Sequence, residues 1–201
     1  MSLNWKQWSK NDIIFGIIIP VVVVLVIVGF SQLSTIIVTS GAIESSGIII
    51  GIIMEITELT IIVAIPLMLG LVWNRWAGGA SGFLMGTFYA IYWRDSFHGI
   101  AGAGTVLMAY IVAPMLVGFI AGALNKRSED FKRMLIAGLI ATIIGGIMQF
   151  GIFQLSTANV VTGLDGLALT VLPRLLIGVI IAVVAKVFFW YGMGVNNKTN
   201  Q

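Results

Sequence analysis

Two carboxylates, Glu55 and Glu58, lie inside a long apolar run that reads GIIIGIIMEITELTIIVAIPLMLGLVW over residues 47–73. A charged side chain at the centre of a membrane costs about 2.5–3.5 kcal/mol, so we expect such a residue to face protein or a water-filled cavity. Residues three apart lie on the same face of a helix, so both carboxylates point in one direction. The pattern predicts a polar site buried within a membrane.

Other polar side chains fall at a similar depth when each apolar run is treated as a helix. At 1.5 Å per residue, Glu55 and Glu58 lie roughly 10–15 Å along the helix from the outer end of their run, which is the end that we place away from the cytoplasm. Arg174 lies roughly 10 Å and Gln149 roughly 9 Å from the outer ends of theirs, and Tyr110 is somewhat deeper. We therefore predict a pocket in the outer half of the membrane that binds a small water-soluble molecule.

A simpler interpretation of the same residues is an internal ion pair. Arg174 would neutralise Glu55 or Glu58 and thereby fix the register of the helices. One arginine cannot neutralise both carboxylates, so the other is either protonated or pairs with a group outside the chain.

The composition identifies the elements that must hold these residues. The chain has 201 residues, of which 59% are hydrophobic and 9% are charged, with a mean hydropathy of +1.06. This composition is typical of an integral membrane protein, because polar side chains are too few to cover a water-soluble globule. Backbone inside hydrocarbon must satisfy its own hydrogen bonds, so each apolar run should be a helix. The sequence predicts an all-α membrane protein with six transmembrane helices at residues 12–30, 48–72, 77–93, 99–124, 134–155 and 167–190.

The basic residues predict the orientation of these spans. With the N-terminus inside, nine of the 11 lysines and arginines fall on the cytoplasmic side, and only Arg94 and Arg174 do not. Because cytoplasmic loops carry the excess of basic residues, both termini are predicted to be cytoplasmic. We interpret residues 1–201 as a single transmembrane domain with an interfacial segment 1–11, a retained first span and a frayed tail 196–201. We attribute the basic residues to the orientation of the chain in the membrane, so we do not predict binding to nucleic acid.

Small residues recur four apart in three of the predicted spans. They are Gly82 and Gly86, then Gly118 and Gly122, then Ala137, Ala141 and Gly145. Such faces let helices approach closely, within the chain or against a partner. Packing within the chain is the simpler interpretation.

The sequence lacks the usual signs of catalysis or of a bound metal. It has no cysteine and a single histidine, His98, which makes a poor transition-metal site. It has no phosphate-binding loop of the Walker type, so any ATP hydrolysis would be done by another subunit. The string GGASGF around Ser81 is similar to the serine motif of rhomboid proteases, but Ser81 and His98 should lie roughly 25 Å apart. We predict a protein that is not an enzyme and has no cofactor.

Three segments carry a resemblance to a known family. They read AIPLMLGLVWNRWAGGASGFLMGTFYAIYW, YIVAPMLVGFIAGALNKR and VLPRLLIGVIIAVVAKVFF. Together with the length and the six spans, they resemble the substrate-binding (S) component of energy-coupling factor (ECF) vitamin transporters. The resemblance implies capture of a vitamin-like micronutrient at the outer side of a prokaryotic cell membrane. It also implies partners, namely a transmembrane coupling subunit and ATPase subunits.

In that family the ligand binds among the last three helices and the outer loops. The resemblance therefore implies a site that involves Arg94, His98, Gln149, Asn159 and Arg174. The family's first helix usually carries an Ala-x-x-x-Ala face for the coupling subunit, whereas here only Gly16 and Pro20 have that spacing. This departure leaves an alternative open, a non-catalytic structural subunit of a larger membrane complex.

Overall fold

The computed structural model describes residues 56–92, 104–155 and 163–190, together with the single residue Ile18. These residues form five helices and no strand: α1 (Ile56–Val72), α2 (Arg75–Tyr92), α3 (Gly104–Asn125), α4 (Phe131–Gln154) and α5 (Gly163–Trp190). Each helix coincides with one of the last five predicted spans. The first predicted span, 12–30, lies outside the described residues apart from Ile18.

Three of these helices are long and apolar enough to cross a membrane, namely Leu107–Asn125 within α3, α4 and α5. The prediction of an all-helical membrane protein is confirmed to that extent. α1 is a shorter apolar helix over its described length, and α2 does not reach the same apolar content, since it begins with Arg75 and contains four glycines. The number of six spans and the side of the termini stay predictions.

A π-helical turn interrupts α1 at Thr60–Ala64, where the backbone N–H of Ile65 donates to the carbonyl of Thr60. Pro66 follows at once. Because proline has no N–H and its ring crowds the carbonyl four residues earlier, it disfavours the regular turn at this point. The wider turn accommodates one additional residue.

The π turn changes which face of α1 carries Glu58. In an uninterrupted α-helix of 3.6 residues per turn, Glu58 would align with Ile65 and Leu69, which are only half-buried. The additional residue of the π turn aligns Glu58 with Pro66 and Gly70, which are buried. The turn thus directs Glu58 into the bundle.

α2 and α3 meet along a row of glycines, which we call the glycine seam: Gly78, Gly82 and Gly86 of α2 with Gly118 of α3. A Cβ at Gly82 would overlap the backbone of Pro114, and one at Gly118 would overlap the backbone of Gly78. The two backbones therefore touch directly, which small residues alone permit. The prediction that these small faces pack within the chain is confirmed.

The small residues of α4 are likewise covered by the chain itself. Ala137 and Ala141 are buried, and a Cβ at Gly145 would overlap the side chain of Val117 in α3. Gly138 of α4 faces the backbone of Gly178 in α5. These close contacts join α3, α4 and α5 into one bundle.

Six basic residues gather at one end of the bundle, which we call the basic end: Arg75, Lys126, Arg127, Lys132, Arg133 and Lys186. The loop between α3 and α4 joins the helix termini there. Asn125 Nδ2 donates to the carbonyl of Leu71 at 2.7 Å, Arg127 Nε donates to that of Trp73 at 2.8 Å, and Lys186 Nζ donates to that of Glu129 at 2.8 Å. Side chains of α3, of the loop and of α5 thus satisfy carbonyls at the helix ends and in the loop.

Candidate functional site

Four polar side chains from four different helices converge in the interior, and we call them the polar cluster. They are Glu58 of α1, Tyr89 of α2, Gln149 of α4 and Arg174 of α5, which are 6%, 1%, 1% and 4% exposed. Polar groups this deep in an apolar bundle require hydrogen-bond partners, because leaving them unpaired is costly. The contacts among the four supply those partners.

Arg174 lies at the centre of the polar cluster. Its Nη2 donates to Gln149 Oε1 at 2.9 Å and lies 3.4 Å from Glu58 Oε1. Its Nη1 donates to the carbonyl of Thr170, one turn earlier in α5. Because the side chain folds back on its own helix, the position of the guanidinium group is tied to α5.

Glu58 is held from two sides. Its Oε2 accepts a hydrogen bond of 2.7 Å from the hydroxyl of Tyr89, and its Oε1 faces Arg174. The tyrosine bond has the length of a strong charge-assisted bond, whereas 3.4 Å exceeds the 2.7–2.9 Å usual for an arginine and a carboxylate. The contact between Glu58 and Arg174 is therefore the loosest in the polar cluster.

The glycines of α4 make room for this arrangement. A Cβ at Gly146 would come 3.1 Å from Val171 and 3.5 Å from Cδ of Arg174. Gly146 therefore allows α5 to lie close to α4, and Gln149, one turn further along α4, faces the guanidinium group. Pro173 lies inside α5 and removes one backbone donor beside Arg174.

An aromatic row adjoins the polar cluster. The ring of Tyr89 lies 5.0 Å from that of Tyr110, and the ring of Tyr110 lies 5.6 Å from that of Phe153. These are favourable separations for tilted and edge-to-face aromatic pairs. A row of aromatic rings, each tilted against the next, thus continues from the charged groups toward the ends of α2 and α4.

Three of the predicted site residues meet in the polar cluster, and a fourth lies beside it. Glu58, Gln149 and Arg174 come together, and Tyr110 lies one ring away, with Tyr89 between it and Glu58. The other predicted members lie outside the described residues: Glu55, Arg94, His98 and Asn159. The contact between Arg174 and Glu58 is the internal ion pair that the simpler interpretation expects.

Tyr89 was missed by the sequence analysis. Its signal is a phenol near the C-terminal end of the glycine-rich run 77–93, a feature that Tyr92 shares and that does not single it out. Ser81, by contrast, has an ordinary structural role: it is fully buried, and its hydroxyl donates to the carbonyl of Gly78 at 2.8 Å. Within residues 56–92, 104–155 and 163–190, no three acidic or histidine side chains lie close enough to hold a metal ion.

The polar cluster brings together a carboxylate, a guanidinium group, an amide and a phenol, which are groups that form hydrogen bonds and ion pairs. Comparisons with protein-family models, with curated proteins and with solved structures find no match to the chain.

Proposed function

We propose that the protein is the substrate-capture subunit of a multi-subunit importer, and that it binds a small water-soluble, vitamin-like molecule from the outer side of the cell membrane. The observation that carries this proposal is the polar cluster, in which one acid and one arginine lie buried among apolar helices. Ionisable residues within membrane spans are costly, so their presence supports a function.

The position of the polar cluster supports access from outside. Glu58, Tyr89 and Arg174 lie roughly 20 Å along their helices from the basic end. Basic residues favour the cytoplasmic side of a membrane. With the basic end inside, the polar cluster lies in the outer half of the bilayer, where a ligand could enter from outside.

The resemblance to the S component of ECF transporters supplies the rest of the proposal. A coupling subunit and ATPase subunits would power release of the ligand into the cell. Among the described residues, exposed leucines along α5 support contact with lipid or with a partner helix: Leu169, Leu172 and Leu176.

Native mass spectrometry of the chain, purified alone and released gently from detergent, tests the proposal. We expect one small molecule bound to the wild type and lost in Arg174→Ala. The matched control is Arg133→Ala, an exposed arginine at the basic end, which should keep the molecule. If Arg174→Ala does not fold, Gln149→Leu takes its place, because it keeps both charges but removes the acceptor for Arg174. An empty wild type, or equal retention in all variants, would contradict the proposal.

A second candidate function is a structural subunit of a larger membrane complex. The observation that favours it is that the groups of the polar cluster pair with each other. Such a subunit would be empty in the same experiment and would be stable only when purified with other membrane subunits.

A further inference from the structure

Two guanidinium groups of the basic end belong to the turn between α1 and α2 and to its contacts. Arg75 is the first residue of α2, and Nε of Arg127 donates at 2.8 Å to the carbonyl of Trp73, two residues before Arg75. That bond uses one of the five N–H groups of Arg127, and the others have no acceptor among the described residues. The side chain of Arg75 likewise donates to no described residue. Both arginines therefore keep donors for an anion.

The turn that carries Arg127 is held in an uncommon conformation. Lys126 and Arg127 have positive φ angles of 50° and 62°, which residues with a side chain seldom adopt. The side chain of Asn125 donates to the carbonyl of Ser128, which closes the turn, and to that of Leu71, which ties the turn to α1. A strained backbone persists only where the surrounding contacts impose it. Two neighbouring cations, both exposed, are thus presented beside the end of α1.

Acidic side chains do not neutralise these cations. Glu129 and Asp130 follow in the same loop, and both are exposed. Among the described residues, neither of them forms an ion pair with a basic side chain. Asp130 instead accepts a hydrogen bond of 3.3 Å from the backbone N–H of Lys132. Arg75 and Arg127 are therefore exposed and receive no counter-charge from the part of the chain that the structure describes.

An exposed tryptophan marks the level at which these cations meet a membrane. Trp76 is 57% exposed, and its ring lies 5.5 Å from Cζ of Arg75 and 5.5 Å from the ring of Phe119. Tryptophan side chains prefer the interface between hydrocarbon and water. The stretch of α3 that can cross a membrane ends at Asn125, and α4 begins at Phe131, so both helices reach the same interface here. The anions at that level of a membrane are the phosphate groups of lipids.

We propose that Arg75, Lys126 and Arg127 bind the phosphate group of an anionic phospholipid at the membrane surface, and we call these three residues the lipid site. A guanidinium group offers paired N–H donors that match two oxygens of a phosphate, and Lys126 adds a compact charge. The exposed side chains of Trp76 and Leu124 supply apolar contacts for the acyl chains. The lipid site is separate from the polar cluster and does not depend on the proposed function.

Two lipids with the same oleoyl chains test the proposal, namely phosphatidylglycerol, which is anionic, and phosphatidylcholine, which carries a phosphate but no net charge. Each is titrated into the full chain in a neutral detergent, and bound lipid is counted by native mass spectrometry. We expect the wild type to bind phosphatidylglycerol at least about 10-fold more tightly. Raising ammonium acetate from about 0.1 M to about 0.5 M should reduce this preference, because salt screens exposed charges.

A matched pair of variants separates the lipid site from the charge of the whole basic end. Arg75→Gln and Lys132→Gln each remove one exposed positive charge, and neither side chain donates a hydrogen bond to a described residue. We expect Arg75→Gln to weaken phosphatidylglycerol by about 5-fold and Lys132→Gln by less than about 2-fold. Arg75→Lys keeps the charge without the paired donors, so its affinity should lie between those of the wild type and Arg75→Gln. R75Q/R127Q should bind the two lipids almost equally.

Hexaglutamate and inorganic phosphate, added as competitors, identify the source of the anion, and neither should displace phosphatidylglycerol at equal concentration. Displacement by hexaglutamate would overturn the proposal in favour of an acidic protein segment, and displacement by phosphate would do so in favour of a free anion. Equal affinities of the wild type for the two lipids, or equal losses in Arg75→Gln and Lys132→Gln, would also overturn it. The wild-type comparison and the competitors decide the matter even if a variant does not fold.

Discussion

The glycine seam and the polar cluster join helices in opposite ways. In the seam, the backbones of α2 and α3 touch because Gly78, Gly82 and Gly118 have no side chains to separate them. In the polar cluster, long side chains from α1, α2, α4 and α5 span the space between helices and meet at their ends. The contact in the seam depends on residues without side chains, whereas the contact in the polar cluster depends on charges and hydrogen bonds.

The two junctions therefore differ in what they contribute: the seam positions helices, and the polar cluster gathers polar groups. A row of glycines fixes the distance between two helices and offers no group that a ligand could use. The polar cluster offers four such groups, and its charged members are stabilised only while they remain paired. A substitution in the seam should therefore act on folding alone, whereas, under the proposed function, a substitution in the polar cluster should act on folding and on binding together.

The largest effect is expected in the glycine seam. In Gly118→Ala the new Cβ would overlap the backbone carbonyl of Gly78, so α2 and α3 must separate. We expect a loss of more than about 4–5 kcal/mol in the free energy of unfolding, or no folded protein. The measurement is the yield of monodisperse protein together with its unfolding temperature.

The matched control for the seam is Gly151→Ala on α4. A Cβ at Gly151 would meet nothing within 4 Å, so this variant should be neutral or stabilised by up to about 1 kcal/mol through helix propensity. Equal unfolding temperatures for Gly118→Ala and Gly151→Ala would show that the seam is not a tight contact.

The next largest effect is expected for Arg174→Ala. The substitution leaves Glu58 buried without its cationic partner and leaves Gln149 without its donor. Removing one member of a buried ion pair costs about 3–5 kcal/mol. Chemical unfolding of the variant beside E58Q/R174Q measures this cost, because the double variant leaves no charge behind and should recover most of the loss. A double variant as unstable as Arg174→Ala would contradict the ion pair.

A smaller effect is expected for Asn125→Asp at the basic end. Asn125 is fully buried and donates to the carbonyls of Leu71 and Ser128, at 2.7 Å and 3.1 Å. Aspartate has the same shape but no donor, so both carbonyls lose a partner and face a carboxylate. We expect a loss of about 2–3 kcal/mol. Thermal unfolding measures the loss, and an unchanged midpoint would mean that these bonds contribute little.

The smallest effect is expected for Tyr89→Phe, which removes one hydroxyl from the polar cluster and keeps the ring beside Tyr110. A hydrogen bond to a charged group contributes about 1.5 kcal/mol or somewhat more. A double-mutant cycle with Glu58→Gln isolates that contribution, because the two losses should not add if the groups interact. Strict additivity would show that the hydroxyl acts elsewhere.

The sequence allowed much of the polar cluster to be predicted, because depth in a membrane can be counted along a helix. Glu58, Gln149 and Arg174 were placed together by that count, and the structure brings them within hydrogen-bond distance. The partner helix of each glycine face could not be predicted, since spacing identifies a face but not its neighbour. The same limit explains why Tyr89 was missed.

The direction of Glu58 could not be predicted either. A regular helix places it in line with Ile65 and Leu69, and only the π turn moves it by one residue onto the buried face. Pro66 was visible in the sequence, but a proline indicates that a helix is disturbed and not how. Glu55, Arg94, His98 and Asn159 stay predictions, as does the ligand itself.

The contacts at the basic end also bear on the order in which the chain is made. The carbonyls of Leu71 and Trp73 receive side-chain hydrogen bonds from Asn125 and Arg127, more than 50 residues later in the sequence. During synthesis α1 and α2 therefore leave the ribosome before those donors exist. It follows that the hydrogen bonds at the end of α1 are completed only after the loop between α3 and α4 has left the ribosome, and that α1 to α3 mature together with this loop.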